Sequence, residues 1–142
     1  MDRKEFLTTA GKGSIAVCTA CFLASCGYDS GGNPAAPQAP QGVDFTLDLT
    51  QSANQSLKNV GGFLVKSGVI VARISSTDFS AVSAACTHEG FTLVYEQASA
   101  RFHCNNHGSN FSSDGKVING PAAQALTKYK TTLEGNNLRV FS

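Results

Sequence analysis

After residue 42, apolar and polar positions alternate in the way that is typical of β-strands. Phe45, Leu47 and Leu49 alternate with polar residues, and apolar runs at 63–65 and 69–74 flank a Lys-Ser-Gly turn like a hairpin. No segment has a sustained helical period. The pattern predicts an all-β domain over residues 43–142, with two or three small antiparallel sheets. Further β-branched or aromatic segments, separated by Gly, Asn and Ser, lie at 79–82, 92–96, 101–104, 116–118, 125–133 and 138–141.

The first 25 residues differ from the rest of the chain and indicate an export signal. Arg3 and Lys4 precede a run of small and apolar residues at 13–25, which is shorter than the ~20 residues that span a bilayer. The opening segment DRKEFL is similar to a twin-arginine signal, with lysine in place of the second arginine. A buried helix is the alternative. The Gly, Pro and Gln content of residues 27–42 argues against it, because that composition is typical of a flexible tether.

The end of the apolar run, LASC at 23–26, resembles a bacterial lipobox. The resemblance implies that Cys26 becomes the acylated N-terminus after the signal is removed, and that residues 26–42 comprise this cysteine and a tether. We therefore expect an exported lipoprotein anchored to the membrane by lipid, facing the periplasm or the outer surface of the cytoplasmic membrane.

Charge and cysteine content narrow the possible functions of the domain. A chain of 142 residues with a net charge of +1 fits one modest domain and gives no reason to expect nucleic acid as a partner. Of the five cysteines, Cys18 and Cys21 lie in the predicted signal and Cys26 is the predicted anchor. Only Cys86 and Cys104 are left for the chemistry of the domain.

Two short motifs, Cys86-Thr-His88 and Cys104-Asn-Asn-His107, carry the candidate chemistry. Each offers one thiolate and one imidazole from a single loop, and these donors suit metal ions. A tetrahedral zinc site is one interpretation, although zinc modules usually group Cys with Cys and His with His. Unliganded surface residues are a weaker alternative, because two of the three histidines lie in the motifs. His103, in a predicted strand, is expected to have another role.

The two motifs and two segments downstream of them resemble the Rieske iron-sulfur family. The resemblance covers nearly all of residues 43–142 and implies small antiparallel sheets with a cluster held by two loops at the tip. It implies one 2Fe-2S cluster per chain, with one iron bound by Cys86 and Cys104 and the other by His88 and His107. The segments that carry the resemblance are Cys86–Gly90, Cys104–Ser109, Asp114-Gly115 and Gly120–Ala122.

Residues near these motifs are expected to set the reduction potential. By resemblance, Ser109 matches a serine whose hydroxyl bonds a bridging sulfide and raises the potential. Phe111 stands where high-potential members have a tyrosine, and Glu89 adds a negative charge that disfavours reduction. Phe91 and Asn106 replace the two cysteines that clamp the loops of quinol-oxidising members. We expect a potential below that class, within the range of about −150 to +300 mV for histidine-ligated clusters.

The resemblance implies electron transfer, by a membrane-tethered carrier or by the iron-sulfur subunit of a larger oxidoreductase complex. Its partner would be a redox protein, a subunit of a membrane complex, a quinol or a cytochrome. The alternative is the cytoplasmic ferredoxin component of a ring-hydroxylating oxygenase or nitrite-reductase-type system, against which the 42-residue leader argues. An oxygenase catalytic subunit would need two further histidines, and only His103 remains. We therefore expect no catalytic residues and no enzymatic activity of the chain alone.

Overall fold

The computed structural model describes residues 37–142, and the predicted export signal and Cys26 lie outside the described residues. This part of the chain contains ten β-strands, arranged as one six-stranded and one four-stranded sheet in which neighbouring strands are antiparallel. The all-β prediction and the prediction of two or three antiparallel sheets are confirmed. The strands are β1 (Asp44–Asp48), β2 (Phe63–Lys66), β3 (Val69–Arg73), β4 (Phe79–Ser83), β5 (Val94–Glu96), β6 (Arg101–His103), β7 (Asn110–Ser112), β8 (Val117–Asn119), β9 (Lys128–Glu134) and β10 (Asn137–Phe141).

Two 3-10 helices, Ser52–Lys58 and Gln97–Ser99, make up the helical content of residues 37–142. The first was not predicted, because Leu57 is its one buried side chain and a single apolar residue gives no periodic signal. Strand β7 was not predicted either, and β9 begins at Lys128, three residues after the predicted start. None of the helices among residues 37–142 combines the length and the apolar composition needed to cross a membrane.

Strands β9 and β4 lie in the middle of the larger sheet, whose order is β1-β10-β9-β4-β3-β2, and β3 lies between β4 and the edge strand β2. Successive side chains of a strand point to opposite faces. In β3, Ile70 and Ala72 therefore belong to one hydrophobic core and Val69 and Val71 to another. Because both faces of β3 are buried, its sequence is a continuous apolar run and does not alternate between apolar and polar residues.

The two cores have different partners. One core lies between β3 and β4 and the smaller sheet, β5-β6-β7-β8, and it includes both cysteines of the domain. The other is enclosed by the larger sheet itself, because side chains of β1 and β10 meet those of β3 and β4 there, together with Leu57. The smaller sheet is thus attached to the rest of the domain through the core that contains Cys86 and Cys104.

The leucines that face each other across the β9–β10 hairpin offer a test of the second core. Leu138 is fully buried, whereas its cross-strand partner Leu133 is 39% exposed. We expect Leu138→Ala to lower the free energy of unfolding by about 2–5 kcal/mol, the usual cost of a cavity left by a buried leucine. Leu133→Ala should cost less than about 1 kcal/mol. Urea unfolding followed by circular dichroism measures both, and equal losses would contradict the assignment of Leu138 to the core.

Candidate metal centre

Two loops carry the four candidate ligands, and each is closed at its base by β-structure. The first loop, residues 86–91, lies between β4 and β5, and a bridge between Ala85 and Thr92 closes it. The second, residues 104–109, joins β6 to β7, which are paired directly. Both Cys/His motifs therefore lie in loops at strand ends, as the sequence predicts.

The two loops have the same backbone hydrogen bonds. In each, the cysteine N–H donates to the carbonyl five residues later, and the cysteine carbonyl accepts the N–H of a glycine four residues later. Gly90 and Gly108 both have positive φ, +81° and +78°, a conformation that costs other residues about 1–2 kcal/mol. The bonds are Cys86 N–H to Phe91 O (2.8 Å), Gly90 N–H to Cys86 O (2.7 Å), Cys104 N–H to Ser109 O (2.9 Å) and Gly108 N–H to Cys104 O (3.0 Å).

A third segment, residues 120–126, contacts both loops. The Ala122 N–H donates to the Ser109 hydroxyl oxygen at 3.0 Å. On the other loop, the Thr87 hydroxyl donates to the Gln124 carbonyl at 2.6 Å. The segment therefore links the two loops through side chains that lie beside the candidate ligands.

The two thiols lie side by side beneath the loops. Cys86 and Cys104 are each 1% exposed, within the core shared with the smaller sheet. Burial raises the pKa of the Cys86 thiol; a hydrogen bond from the His88 backbone opposes this, the neighbouring Cys104 raises the pKa further, and the Ser109 hydroxyl lowers it. Because the pKa is raised, a metal that binds here must displace a thiol proton.

The two imidazoles lie at the surface with their Nδ1 atoms 3.2 Å apart. The rings of His88 and His107 are nearly perpendicular, at 85°. A metal held tetrahedrally with metal–nitrogen bonds of about 2.0–2.1 Å, as for zinc, places two such nitrogens about 3.3–3.4 Å apart. The observed separation therefore suits two imidazole ligands on one ion.

The thiol pair and the imidazole pair do not converge on one point. In a four-coordinate zinc site with two thiolates and two imidazoles, all four ligand atoms lie within about 4 Å of each other. Within residues 37–142, the one group of three or more candidate ligand atoms that lie within 4.8 Å of each other consists of His88, Glu89 and His107, and neither thiol belongs to it. The geometry thus argues against a mononuclear site and fits a group with two metal ions, one for each pair.

The surroundings of His107 include residues of both loops. The Glu89 carboxylate of the first loop lies 3.5 Å from His107 Nδ1. Phe91, 47% exposed, meets the His107 ring edge-on at 6.1 Å between centroids. Asn106 places its amide nitrogen 2.9 Å from Nδ1. An acidic, an aromatic and an amide side chain therefore surround the exposed imidazole.

Ser109 and Phe111 lie on the inner side of the site. Both are fully buried, and Phe111 belongs to the core that contains the two thiols. The Ser109 hydroxyl accepts from Ala122, so its proton is available for the thiol side. Phe111 brings no polar atom to that side. The structure therefore places Ser109, and not Phe111, where it can donate to a ligand sulfur.

A pair of asparagines that sequence reasoning did not identify supports the second loop. Asn110 and Asn119 both donate to the Gly108 carbonyl, at 3.1 and 2.9 Å, and bond to each other at 2.6 Å. Asn110 also bonds the Nδ1 of His103 at 2.7 Å, so His103 acts within the smaller sheet. The only signal in the sequence is that Asn110 follows the motif closely, and the position of Asn119 depends on the pairing of β7 with β8.

Comparison with known proteins identifies this arrangement. Residues 46–130, more than half of the chain, match the Rieske [2Fe-2S] domain. The chain is 38% identical over 58 residues to the cytochrome b6-f complex iron-sulfur subunit of Synechococcus sp. (strain JA-3-3Ab), covering 41% of this chain and 34% of that one. The corresponding subunit of Chlorobaculum tepidum is 38% identical over 61 residues, with 43% and 34% covered. The chain thus spans about a third of the length of these relatives.

Two solved structures have a similar fold. The plasma membrane Rieske protein of the cyanobacterium Synechocystis PCC 6803 is 35% identical, with a TM-score of 0.53 over 62% of this chain and 93% of that chain. The ferredoxin of carbazole 1,9a-dioxygenase from Nocardioides aromaticivorans IC177 is 22% identical, with a TM-score of 0.50 over 58% and 84%. The second likeness shows the fold alone. The family match identifies the cofactor as a 2Fe-2S cluster, and the two separate ligand pairs fit it.

Proposed function

The chain belongs to the Rieske [2Fe-2S] family, and we propose that it is an electron carrier tethered to a membrane, whose cluster is bound by Cys86, Cys104, His88 and His107. When bound, such a cluster takes up and releases one electron. The observation that carries the proposal is the separation in depth between the two ligand pairs. Both thiols are 1% exposed, whereas the side chain of His107 is 38% exposed.

This separation gives the two ligand pairs different tasks. The hydrophobic core around Cys86 and Cys104 excludes water from the thiol side. His88 and His107 face outward, so a partner that docks on the tip comes close to the imidazole side. If the Nδ1 atoms of His88 and His107 held the iron, each Nε2 would be left to hold or release a proton, which would allow proton movement to accompany electron transfer.

The relatives support a membrane-bound redox partner. Those that the chain matches include iron-sulfur subunits of cytochrome b6-f complexes and a plasma membrane Rieske protein. We propose by analogy that this chain exchanges electrons with a redox protein or complex in the membrane, a quinol and a cytochrome being the candidate partners. Residues 1–25 would export the chain, and acylation at Cys26 would anchor it, with the Rieske domain facing the periplasm or the outer surface of the cytoplasmic membrane.

Removal of a ligand tests the proposed site. Cys104→Ala should abolish the cluster, because the remaining thiolate cannot hold its iron alone, and should destabilise the loops that the metal ties together. His103→Gln is the matched control, since His103 lies one residue away and bonds Asn110 instead. Iron and acid-labile sulfide per chain, with visible absorption, measure both variants. A Cys104→Ala protein that keeps two irons and its colour would contradict the assignment of Cys104 as a ligand. If the parent protein contained zinc and no sulfide, the site would be a zinc site instead.

The Ser109 hydroxyl should raise the reduction potential, because a donor to a sulfur ligand stabilises the more negative, reduced state. Ser109→Ala should keep the cluster and lower the potential by tens of millivolts, as expected for one hydrogen bond of roughly 1 kcal/mol. Ser83→Ala is the control, because this buried hydroxyl also accepts a backbone N–H of the neighbouring segment, from Thr127. Protein-film voltammetry gives both potentials. Equal potentials in the Ser109→Ala and parent proteins would show that the hydroxyl acts elsewhere.

The anchor makes a separate prediction about location. Cys26→Ala should leave the cluster intact, block acylation and move the protein out of the membrane fraction, since stable anchoring depends on the acyl chains. Cys21→Ala, within the predicted signal, is the control that should stay in the membrane fraction. Mass spectrometry of the N-terminal peptide and membrane fractionation provide the measurement. An unmodified Cys26 in a cytoplasmic chain that begins at Met1 would favour the ferredoxin component of an oxygenase or nitrite-reductase-type system instead.

A further inference from the structure

Residues 37–42, the end of the predicted tether and hereafter the strap, pack against the domain. The Tyr129 hydroxyl donates to the Pro40 carbonyl at 2.8 Å. The ring of Pro40 lies over Gly68, where a Cβ would come within 2.7 Å of Pro40 Cγ. Pro37 lies over Gly90 in the same way, with 3.3 Å between such a Cβ and Pro37 Cγ. The strap therefore runs across the domain from β1 to the first cluster loop.

The strap is attached to the domain by a hydrogen bond and by two contacts between proline and glycine. Tyr129 is 4% exposed, and its hydroxyl bonds to Pro40, whereas the equally buried hydroxyl of Tyr95 finds no partner among residues 37–142. Both proline rings lie on glycines, which have no side chain to keep them away. Proline also has less conformational entropy to lose on docking than other residues. The hydrogen bond of the Tyr129 hydroxyl thus depends on the strap.

The far end of the strap contacts the loop that carries Cys86 and His88. Gly90 donates its N–H to the Cys86 carbonyl, the bond that closes this loop. Pro37 lies against the same glycine, with its Cγ 3.3 Å from where a Cβ of residue 90 would be. The corresponding glycine of the second loop, Gly108, has no such neighbour among the described residues, since a Cβ built there would meet nothing within 4 Å. Within the part of the chain that the structure describes, the proline contact thus supports the first loop and not the second.

We propose that the strap braces the first cluster loop. We also propose that it fixes the point at which the preceding residues join the domain, and that this point lies at the cluster end of the domain. The membrane consequence rests on the proposed anchor at Cys26. Residues 26–36, eleven residues, then separate the anchor from the strap, and they span at most about 36–40 Å. The span of residues 26–36 thereby limits how far the exposed imidazoles can lie from the membrane. The partner must present its own redox site within that distance.

A distance measurement between the strap and the cluster tests the attachment. A nitroxide amino acid replaces the exposed Gln38 in the full mature holoprotein, and pulsed EPR measures its distance from the paramagnetic reduced cluster. We expect a single narrow distribution of distances in the parent protein. In the double variant Tyr129→Phe/Pro40→Gly, this distribution should be several-fold broader. Tyr95→Phe is the matched control and should keep the narrow distribution. The cluster signal confirms that each variant is folded, and equal widths in the parent and the double variant would overturn the proposal.

Hydrogen exchange tests the bracing of the loop, because the two loops have equivalent glycine bonds. In the same double variant, the Gly90 amide should exchange several-fold faster than in the parent, while the Gly108 amide is unchanged. Equal rates at Gly90 in both proteins would refute the bracing role. The mass of the N-terminal peptide is measured on the same samples and reports whether Cys26 is acylated. A narrow distance distribution in a chain without acyl groups would support the strap and contradict the anchor.

Discussion

The bond between the cysteine carbonyl and the N–H of the glycine four residues later shapes both cluster loops, and the remainder of the site depends on it. It folds each loop back on itself, so that the cysteine stays at the sheet while the histidine is carried to the turn. One short segment can then supply a buried thiol and an exposed imidazole. Positive φ at Gly90 and Gly108 is the condition for this turn. The asparagine pair on the Gly108 carbonyl and the strap on Gly90 support the same positions from outside.

The groups that influence the electron affinity of the site are divided between its two sides. Donors to the Cys86 sulfur lie on the thiol side, from the Ser109 hydroxyl and the His88 backbone, and we propose that they favour the reduced state. The Glu89 carboxylate lies on the imidazole side, 3.5 Å from His107 Nδ1, where its negative charge would disfavour reduction. The carboxylate is partly screened, because its side chain is 47% exposed. The Ser109 hydroxyl is fully buried and therefore less screened by solvent, which strengthens its effect per contact.

The sequence predicts those parts of the fold whose signal is local. Strand β3 carries a continuous apolar run, and the two Cys/His motifs indicate their chemistry by residue type and spacing. Strand β7 is only Asn-Phe-Ser, too short to show a period, and it exists because β6 and β8 pair with it. Residues 126 and 127 look like the start of β9, but their backbone bonds go to Gly115 and Ser83. Contacts such as Thr87 with Gln124 join positions 37 residues apart, which no local pattern encodes.

The strap shows why composition alone is a poor guide to whether a segment packs. A segment rich in glycine, proline and glutamine is predicted to be a tether, because these residues cannot build a core of their own. This reasoning does not apply to a segment that docks on an existing surface. Pro37 and Pro40 need only two glycines without side chains and one tyrosine hydroxyl to receive them. Since proline loses little entropy on docking, a few contacts can hold such a segment. A proline-rich segment is therefore well suited to define where the preceding chain joins a domain, and with it the face of the domain at which that chain is attached.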